Sequence, residues 1–260
     1  MMPGKKTSAS AVFIVLFLLV APVSAEETVR ITNGEWPPYL SEQLPFNGVA
    51  SRIVTEAFAL EGVRVEYGFF PWKRSLALAE MGEWDGSAVW FRSPEREESF
   101  YLSDPVILSS YVFFHLKNYL FDWRTMDDLR EIRIGATLGY NYGEAFEAAE
   151  KAGAINVDRC ASDELNLQKL LRDRFKIFPV DMEVGYAMLH KQFKPETVSL
   201  FTNHPRPLRQ ESLYLLLSKK LERNKRLIEL FNRGLQKLKE SGRIEEFQEE
   251  SRRVTNSSLQ

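Results

Sequence analysis

Residues 84–96 read W-D-G-S-A-V-W-F-R-S-P-E-R, and this stretch does most to decide the fold. The apolar run 87–91 is short and continuous, which predicts a buried β-strand. Ser93 then supplies an N-cap, and Pro94 suits the first position of a helix. A buried strand that leads directly into a helix is the repeating unit of α/β proteins.

Arg96 lies in the first turn of the helix that this stretch predicts. Free backbone N–H groups at a helix N-terminus favour anions, and a guanidinium matches the geometry of a carboxylate. Arg96 is therefore a candidate ligand-binding residue. On this segment alone, a solvated surface charge beside Glu95 and Glu97 is the more common outcome.

Residues 1–25 predict a cleaved export signal. Two lysines precede the apolar run 9–20, which is too short to span a bilayer comfortably. Small residues at 23–25 form a cleavage site, and no cysteine lies near it to carry a lipid. The alternative, an uncleaved anchor, is disfavoured by the short apolar run. We therefore expect a soluble protein of the periplasm that is not lipid-anchored.

The composition narrows the function classes. The chain has 260 residues, with 34 basic and 36 acidic side chains, and loss of the two signal lysines gives a net charge of about −4. A nucleic-acid-binding protein would carry a basic excess, so no nucleic-acid partner is expected. Motifs of zinc proteases, serine hydrolases and nucleotide-binding loops are absent from the sequence, and the histidines show no metal spacing. We expect no cofactor, no metal and no catalytic residue.

Short apolar runs alternate with segments of helical periodicity, which predicts mostly parallel sheets covered by helices. Strands are predicted at 29–32, 63–69, 87–91, 106–116, 132–135, 155–159, 176–180, 198–201 and 211–218. Helices are predicted at 49–60, 74–81, 142–151, 163–172 and 181–190, and again towards the C-terminus. Two such series, divided near the long run 106–116, predict two α/β lobes with a hinge.

Trp36, Trp72 and Trp90 each lie at or near the end of a predicted strand. Ligands of open α/β sheets bind beyond the carboxyl ends of the strands. A single tryptophan at such a place is more commonly a core residue. Three of them, together with Arg96, predict a cleft with aromatic walls.

Several segments, in this order, resemble the family 3 extracytoplasmic solute-binding proteins, which serve ABC transporters for polar amino acids. The segments are Trp36-Pro37-Pro38-Tyr39; Asn47-Gly48; Trp72 with Leu76, Gly82 and Asp85; Ser93-Pro94-Glu95-Arg96 followed by Phe100 and Ser103-Asp104-Pro105; Ile134-Gly135 with Gly139; and 177–181. The resemblance covers residues 28–250, and the S-P-E-R to S-D-P run is its most specific part.

The resemblance implies an α/β, two-lobe fold of the type II periplasmic-binding-protein class. Each lobe would be a mostly parallel sheet with flanking helices, and two hinge strands would join the lobes. Lobe 1 would comprise residues 26–115 plus 210–260, and lobe 2 residues 116–209. The family expectation is a monomer.

The resemblance also implies roles for single residues. Arg96 would hold the carboxylate of the ligand, and Asp181 would hold its ammonium group. Trp36 and Trp72 would enclose the ligand, and Asn141 would lie near the carboxylate from lobe 2.

The tripeptide Trp90-Phe91-Arg92 departs from the family pattern, which has small polar residues there. We therefore expect Trp90 to contact the ligand and this tripeptide to decide ligand identity. The predicted function is capture of a small amino-acid-like or carboxylate ligand in an interlobe cleft for an inner-membrane ABC permease.

Two other functions stay open at the level of sequence. The first is an enzyme on the same fold, similar to cyclohexadienyl dehydratases, with Asp181 and Glu183 as candidate acids. The second is a stand-alone sensor whose closed form docks on a membrane receptor. A sensor would share its fold and ligand site with a transport protein, so the sequence does not separate the two.

Overall fold

The computed structural model describes residues 27–257, so the predicted export signal at 1–25 lies outside the described residues. Two long antiparallel strands, β5 (Ile107–Leu116) and β9 (Phe201–Ser218), run through the centre of the fold. Their pairing extends from Ile107 opposite Leu213 to Leu116 opposite Phe201. The remaining strands attach to either end of this central pair.

The first sheet region lies at one end of the central pair. Its strands are β1 (Glu27–Asn33), β2 (Val63–Phe69), β3 (Gly86–Phe91) and β4 (Phe100–Leu102). β1 pairs in parallel with β2 and β3, whereas β3 and β4 pair antiparallel with β9. The connecting helices are α1 (Val49–Ala59), preceded by a 3₁₀ turn at Pro45–Asn47, α2 (Trp72–Glu80) and α3 (Pro94–Ser99).

The second sheet region lies at the other end. Its strands are β6 (Arg133–Thr137), β7 (Asn156–Cys160) and β8 (Phe178–Asp181). β6 pairs in parallel with β7 and, through Ile134, with Ile177; β8 pairs antiparallel with β5. The helices are α4 (Glu144–Lys151), α5 (Asp163–Leu171), α6 (Met182–Gln192) and α7 (Pro195–Val198), with a 3₁₀ turn at Met126–Leu129.

The chain finishes with α8 (Arg223–Glu240) and α9 (Arg243–Ser257). The fold is thus the predicted α/β architecture, with parallel pairing where helices connect successive strands. Antiparallel pairing occurs where β5 and β9 cross between the regions. No helix within residues 27–257 combines the length and hydropathy needed to cross a bilayer.

The prediction of separate strands at 198–201 and 211–218 is wrong. Pro195–Val198 is a short helix, and β9 runs from Phe201 to Ser218 without a break. The segment between the two predicted strands is polar and contains prolines, which are signals of a loop. It remains extended because it pairs with β5, and the register shifts beside Val112, which lies opposite Pro207. Pro207 has no N–H to donate, so it is accommodated at an irregularity in the ladder.

The buried carboxylate of Asp85 holds the start of β3 to its neighbours. Asp85 is fully buried and accepts hydrogen bonds from the backbone N–H of Arg30 (2.8 Å) and the Nε of Arg223 (2.9 Å). Its backbone carbonyl accepts from the backbone N–H of Ser218 (2.8 Å) and the side chain of Asn224 (2.8 Å). This residue therefore ties β1, the end of β9 and the start of α8 together.

Helix α8 packs directly on α1 at Gly234. A Cβ atom at Gly234 would lie 1.9 Å from the carbonyl oxygen of Ala57, so the two backbones touch. Nearby, the rings of Phe58 and Phe231 pack with their centroids 5.0 Å apart. A side chain at position 234 would force the helices apart and open this part of the core.

We predict that Gly234→Val lowers the free energy of unfolding by about 2 kcal/mol, because overpacking outweighs the gain in helix propensity. Urea denaturation followed by circular dichroism measures this change. Glu229→Ala is the matched control on an exposed position of the same helix and should change stability by less than about 0.5 kcal/mol. Equal stability of the valine variant and the wild type would contradict the close helix contact.

Candidate functional site

A cluster of two tryptophans and an arginine lies at the carboxyl ends of β2 and β3. The rings of Trp72 and Trp90 meet edge to face, with centroids 5.1 Å apart. The ring of Trp72 covers the backbone of Gly34, where a Cβ atom would come within 2.3 Å of the indole. The guanidinium of Arg96 lies 5.0 Å from the centroid of the Trp90 ring. The structure thus brings together Trp72, Trp90 and Arg96, which the sequence predicts as site residues.

A bulge in β3 sets the direction of Trp90. The register with β9 shifts between Ser87 and Trp90, and the intervening Val89 has a φ of 44°. This backbone region is rare for a β-branched residue, and such strain is concentrated at functional sites. The indole N–H of Trp90 donates to the hydroxyl of Ser87 (2.7 Å), which fixes the ring after the bulge.

The guanidinium of Arg96 has N–H donors that form no hydrogen bond within residues 27–257. Its Nη1 donates to the carbonyl of Phe91 (2.6 Å), and no carboxylate within residues 27–257 forms an ion pair with it. Partial burial lowers the pKa of Arg96 from its usual value, yet a guanidinium remains charged at neutral pH. Arg92, four residues earlier, is exposed and paired with Glu97. Arg96 is therefore a half-buried cation with free donors, which suits a carboxylate.

A pocket of about 600 Å³ lies between the loop after β1 and the second sheet region. Trp36, Pro38 and Leu44 line one side, and Leu138, Tyr140, Val184 and Met188 line the other. Trp36 is half-buried, and its ring contacts that of Tyr39 at a centroid distance of 4.7 Å. The pocket is mostly apolar, as ligand pockets commonly are, and Trp36 is the predicted site residue that lines it.

Asp163 supplies a carboxylate to this pocket. It follows the N-cap Ser162 of α5 and is 8% exposed. The hydroxyl of Thr137 donates to one of its oxygens, Oδ1. Burial raises the pKa of Asp163 to about 6, and the hydrogen bond from Thr137 counters part of that rise. Sequence reasoning missed Asp163, although its place directly after a strand and an N-cap was a usable signal.

Asp181 is sealed into the structure away from this pocket. It is 1% exposed, and its oxygens accept from the hydroxyls of Tyr39 (3.1 Å) and Ser109 (2.7 Å), from the backbone N–H of Ser110 (3.1 Å), and from the first turn of α6. Burial raises the pKa of Asp181, and the pKa of Tyr39 rises through its own burial and the nearby Asp181 charge. Contact of Asp181 with a ligand ammonium stays a prediction, and it requires one of these donors to be displaced.

Asn141 lies on the loop between β6 and α4 and is exposed. Its carbonyl accepts a hydrogen bond from Nη1 of Arg209 (3.0 Å), and the guanidinium of Arg209 lies 4.9 Å from the centroid of Phe91. Arg209 therefore connects the end of β3 with the loop that carries Asn141. Sequence reasoning missed Arg209, because it lies in the stretch of β9 that reads as a loop.

The fold, with two sheet regions joined by β5 and β9, is that of the type II periplasmic-binding-protein class. The family model for bacterial extracellular solute-binding proteins, family 3, matches residues 29–251. The chain belongs to that family, which confirms the resemblance drawn from the sequence.

Solved structures with the same fold have low sequence identity to this chain. A mutant of ArgBP from T. maritima has a TM-score of 0.60 at 19% identity and covers 86% of this chain and 94% of its own. The second substrate binding domain of a putative amino acid ABC transporter from Streptococcus pneumoniae has a TM-score of 0.69 at 14% identity, with coverages of 86% and 98%. A histidine kinase sensor domain with similarity to periplasmic binding proteins has a TM-score of 0.63 at 16% identity, with coverages of 86% and 96%. No curated protein matches the chain by sequence comparison.

The raised pKa of Asp163 predicts a pH-dependent gain in stability for Asp163→Asn. The folded state disfavours the ionised carboxyl of Asp163, and this lowers the stability of the wild type. The loss of stability is absent below the pKa of Asp163 in the unfolded chain, near 3.8, and complete above its folded-state pKa of about 6. Asparagine still accepts from Thr137 and carries no charge. Asp163→Asn should have a higher free energy of unfolding than the wild type at pH 7.5. This difference between the two proteins should be about 2 kcal/mol larger at pH 7.5 than at pH 4. Denaturant titrations at both pH values measure this, and a pH-independent difference would contradict the assignment.

Proposed function

We propose that this protein is an exported, monomeric solute-binding protein that captures a small amino-acid-like or carboxylate ligand for an inner-membrane ABC permease. The observation that carries the proposal is Arg96, a half-buried guanidinium that rests on Trp90 and has no carboxylate partner within residues 27–257. A ligand carboxylate would use its free donors, and the aromatic edges of Trp72 and Trp90 would enclose the adjoining carbon atoms.

In this proposal the ligand is held between two lobes. Lobe 1 comprises residues 26–115 plus 210–260, lobe 2 comprises residues 116–209, and β5 and β9 are the hinge. Contacts from Trp72 and Arg96 on one side and from the loop carrying Asn141 on the other are complete only when the lobes close. A ligand that touches both lobes therefore favours the closed state.

Binding without catalysis is the function that the geometry favours. The family and most of its structural neighbours are binding proteins, although one neighbour is an ancestral amino acid-binding protein described as a precursor of cyclohexadienyl dehydratase. Of the acids considered for an enzyme, Asp181 is enclosed by hydrogen-bond donors, and Glu183 pairs with Arg252 at 2.7 Å. Each of these carboxylates already accepts a hydrogen bond from a donor within the protein.

Transport is favoured over sensing by the neighbours that are substrate-binding proteins of amino acid ABC transporters. The sensor domain of a histidine kinase has the same fold, so the fold is compatible with both roles. A membrane receptor in place of a permease would leave the ligand site unchanged.

We predict that Arg96→Gln weakens ligand binding by about thirtyfold or more, because a carboxylate would lose its charged partner. A thermal-shift screen of wild-type protein with the twenty L-amino acids and small dicarboxylates identifies a binder, which isothermal titration calorimetry then quantifies for each variant. Arg64→Gln is the matched control: it removes the same charge from an exposed ion pair with Glu66 on β2 and should change affinity by less than about twofold. Equal affinity of the Arg96 variant and the wild type would overturn the carboxylate assignment.

A further inference from the structure

Three acidic residues, Glu35, Asp163 and Glu164, line the pocket beside Trp36, and Asp163 is the buried one of the three. We propose that Asp163 is a specificity-determining residue that binds a protonated amine group of the ligand. This inference rests on the proposed function, because it assigns a second polar group to the same bound solute. It differs from the sequence-level prediction, which gave the ammonium group to Asp181.

Hydrogen bonds fix the orientation of the Asp163 carboxyl. The side-chain amide N–H of Asn166 donates to the hydroxyl oxygen of Thr137 (2.9 Å), so the Thr137 hydrogen is directed to Oδ1 of Asp163. The Asn166 amide is in turn oriented by the thiol of Cys160, which donates to its oxygen at 3.0 Å. This chain of hydrogen bonds fixes one oxygen of Asp163 before any ligand arrives.

The other carboxyl oxygen of Asp163, Oδ2, differs from Oδ1 in its hydrogen bonding. Oδ2 of Asp163 has no hydrogen-bond donor among residues 27–257, although the residue is more than nine-tenths buried. Lys191 also lines the pocket but forms no ion pair with Asp163 in this part of the chain. Oδ2 is not among the fully enclosed atoms that lack a partner, so it is accessible from the pocket and can accept a further donor, preferably a charged one.

The surroundings of the Asp163 carboxyl suit an amine on an aliphatic chain. The pocket walls are formed largely by apolar groups, among them Trp36, Val184 and Met188. An amine carried on an aliphatic chain would bury its methylene groups against these walls, and an indole face also attracts a cation. Both carboxyl oxygens of Asp85 and of Asp181 accept hydrogen bonds from the protein, whereas one oxygen of Asp163 does.

The test compares ligands that differ by one amine. Wild type, Asp163→Asn and Asp173→Asn are titrated calorimetrically at pH 7.5 with L-lysine, L-norleucine and 1,5-diaminopentane. L-norleucine has the carbon chain of lysine without the terminal ammonium, and the diamine has no carboxylate. Asp173→Asn removes an exposed acid of the same sheet region and is the matched control.

We expect wild type to bind L-lysine at least about tenfold more tightly than L-norleucine, because a hydrogen bond to a charged partner contributes a tenfold or larger gain in affinity. Asp163→Asn should abolish this preference and leave L-norleucine affinity unchanged, while Asp173→Asn retains it. Circular dichroism verifies that the variants fold, and Asp163→Ala, which removes both oxygens, should behave as Asp163→Asn does.

The titrations with the three ligands distinguish failure of this inference from failure of the proposed function. Equal binding of lysine and norleucine by wild type, or a lysine preference that survives in Asp163→Asn, would overturn the role of Asp163 and leave the Arg96 site standing. A third outcome is that wild type binds the diamine but neither amino acid, and that Asp163→Asn no longer binds the diamine. This result would support the role of Asp163 and overturn the proposed contact between Arg96 and a ligand carboxylate. Failure of all three probes to bind wild type would overturn the inference.

Discussion

The antiparallel pairing of β5 with β9 is the constraint on which the other parts of this structure depend. β9 pairs with β3 and β4 of the first sheet region through residues 213–218, and β5 pairs with β8 of the second through residues 111–114. The positions of the two regions are therefore linked through the β5–β9 ladder. β8 attaches to β5 so that Asp181 lies opposite Tyr111, and β3 attaches to β9 so that Trp90 lies opposite Tyr214. The residues proposed to bind ligand therefore take their positions from the same pair of strands.

Three buried carboxylates differ in how completely hydrogen bonds from the protein satisfy them. Asp85 and Asp181 are surrounded by backbone and side-chain donors, which stabilises their charge and ties neighbouring elements together. Asp163 receives a hydrogen bond at one oxygen and lines a pocket with the other. A charge that is desolvated but incompletely paired lowers stability, and proteins retain such groups where a ligand completes the pairing.

Much of the fold could be predicted from local sequence. The apolar run 87–91 and the N-cap Ser93 correspond to β3 and the start of α3, and the Ser93 hydroxyl does accept the backbone N–H of Arg96. The extent of β9 could not be predicted, because residues 203–209 have the composition of a loop. Their extended form comes from pairing with β5, a partner about ninety residues away in sequence, which local periodicity does not detect.

By itself the sequence determined the alternation of strands and helices, the family, and the aromatic and arginine residues gathered at the strand ends. These follow from short-range patterns: apolar periodicity, capping residues and motif order. Only the tertiary structure decided which charged groups are free. Arg96 is left without a carboxylate, Asp181 is enclosed by donors that include Tyr39, and Asp163 faces a pocket with one oxygen unpaired. The physical reason is that burial and hydrogen-bond saturation depend on atoms brought together from distant parts of the chain.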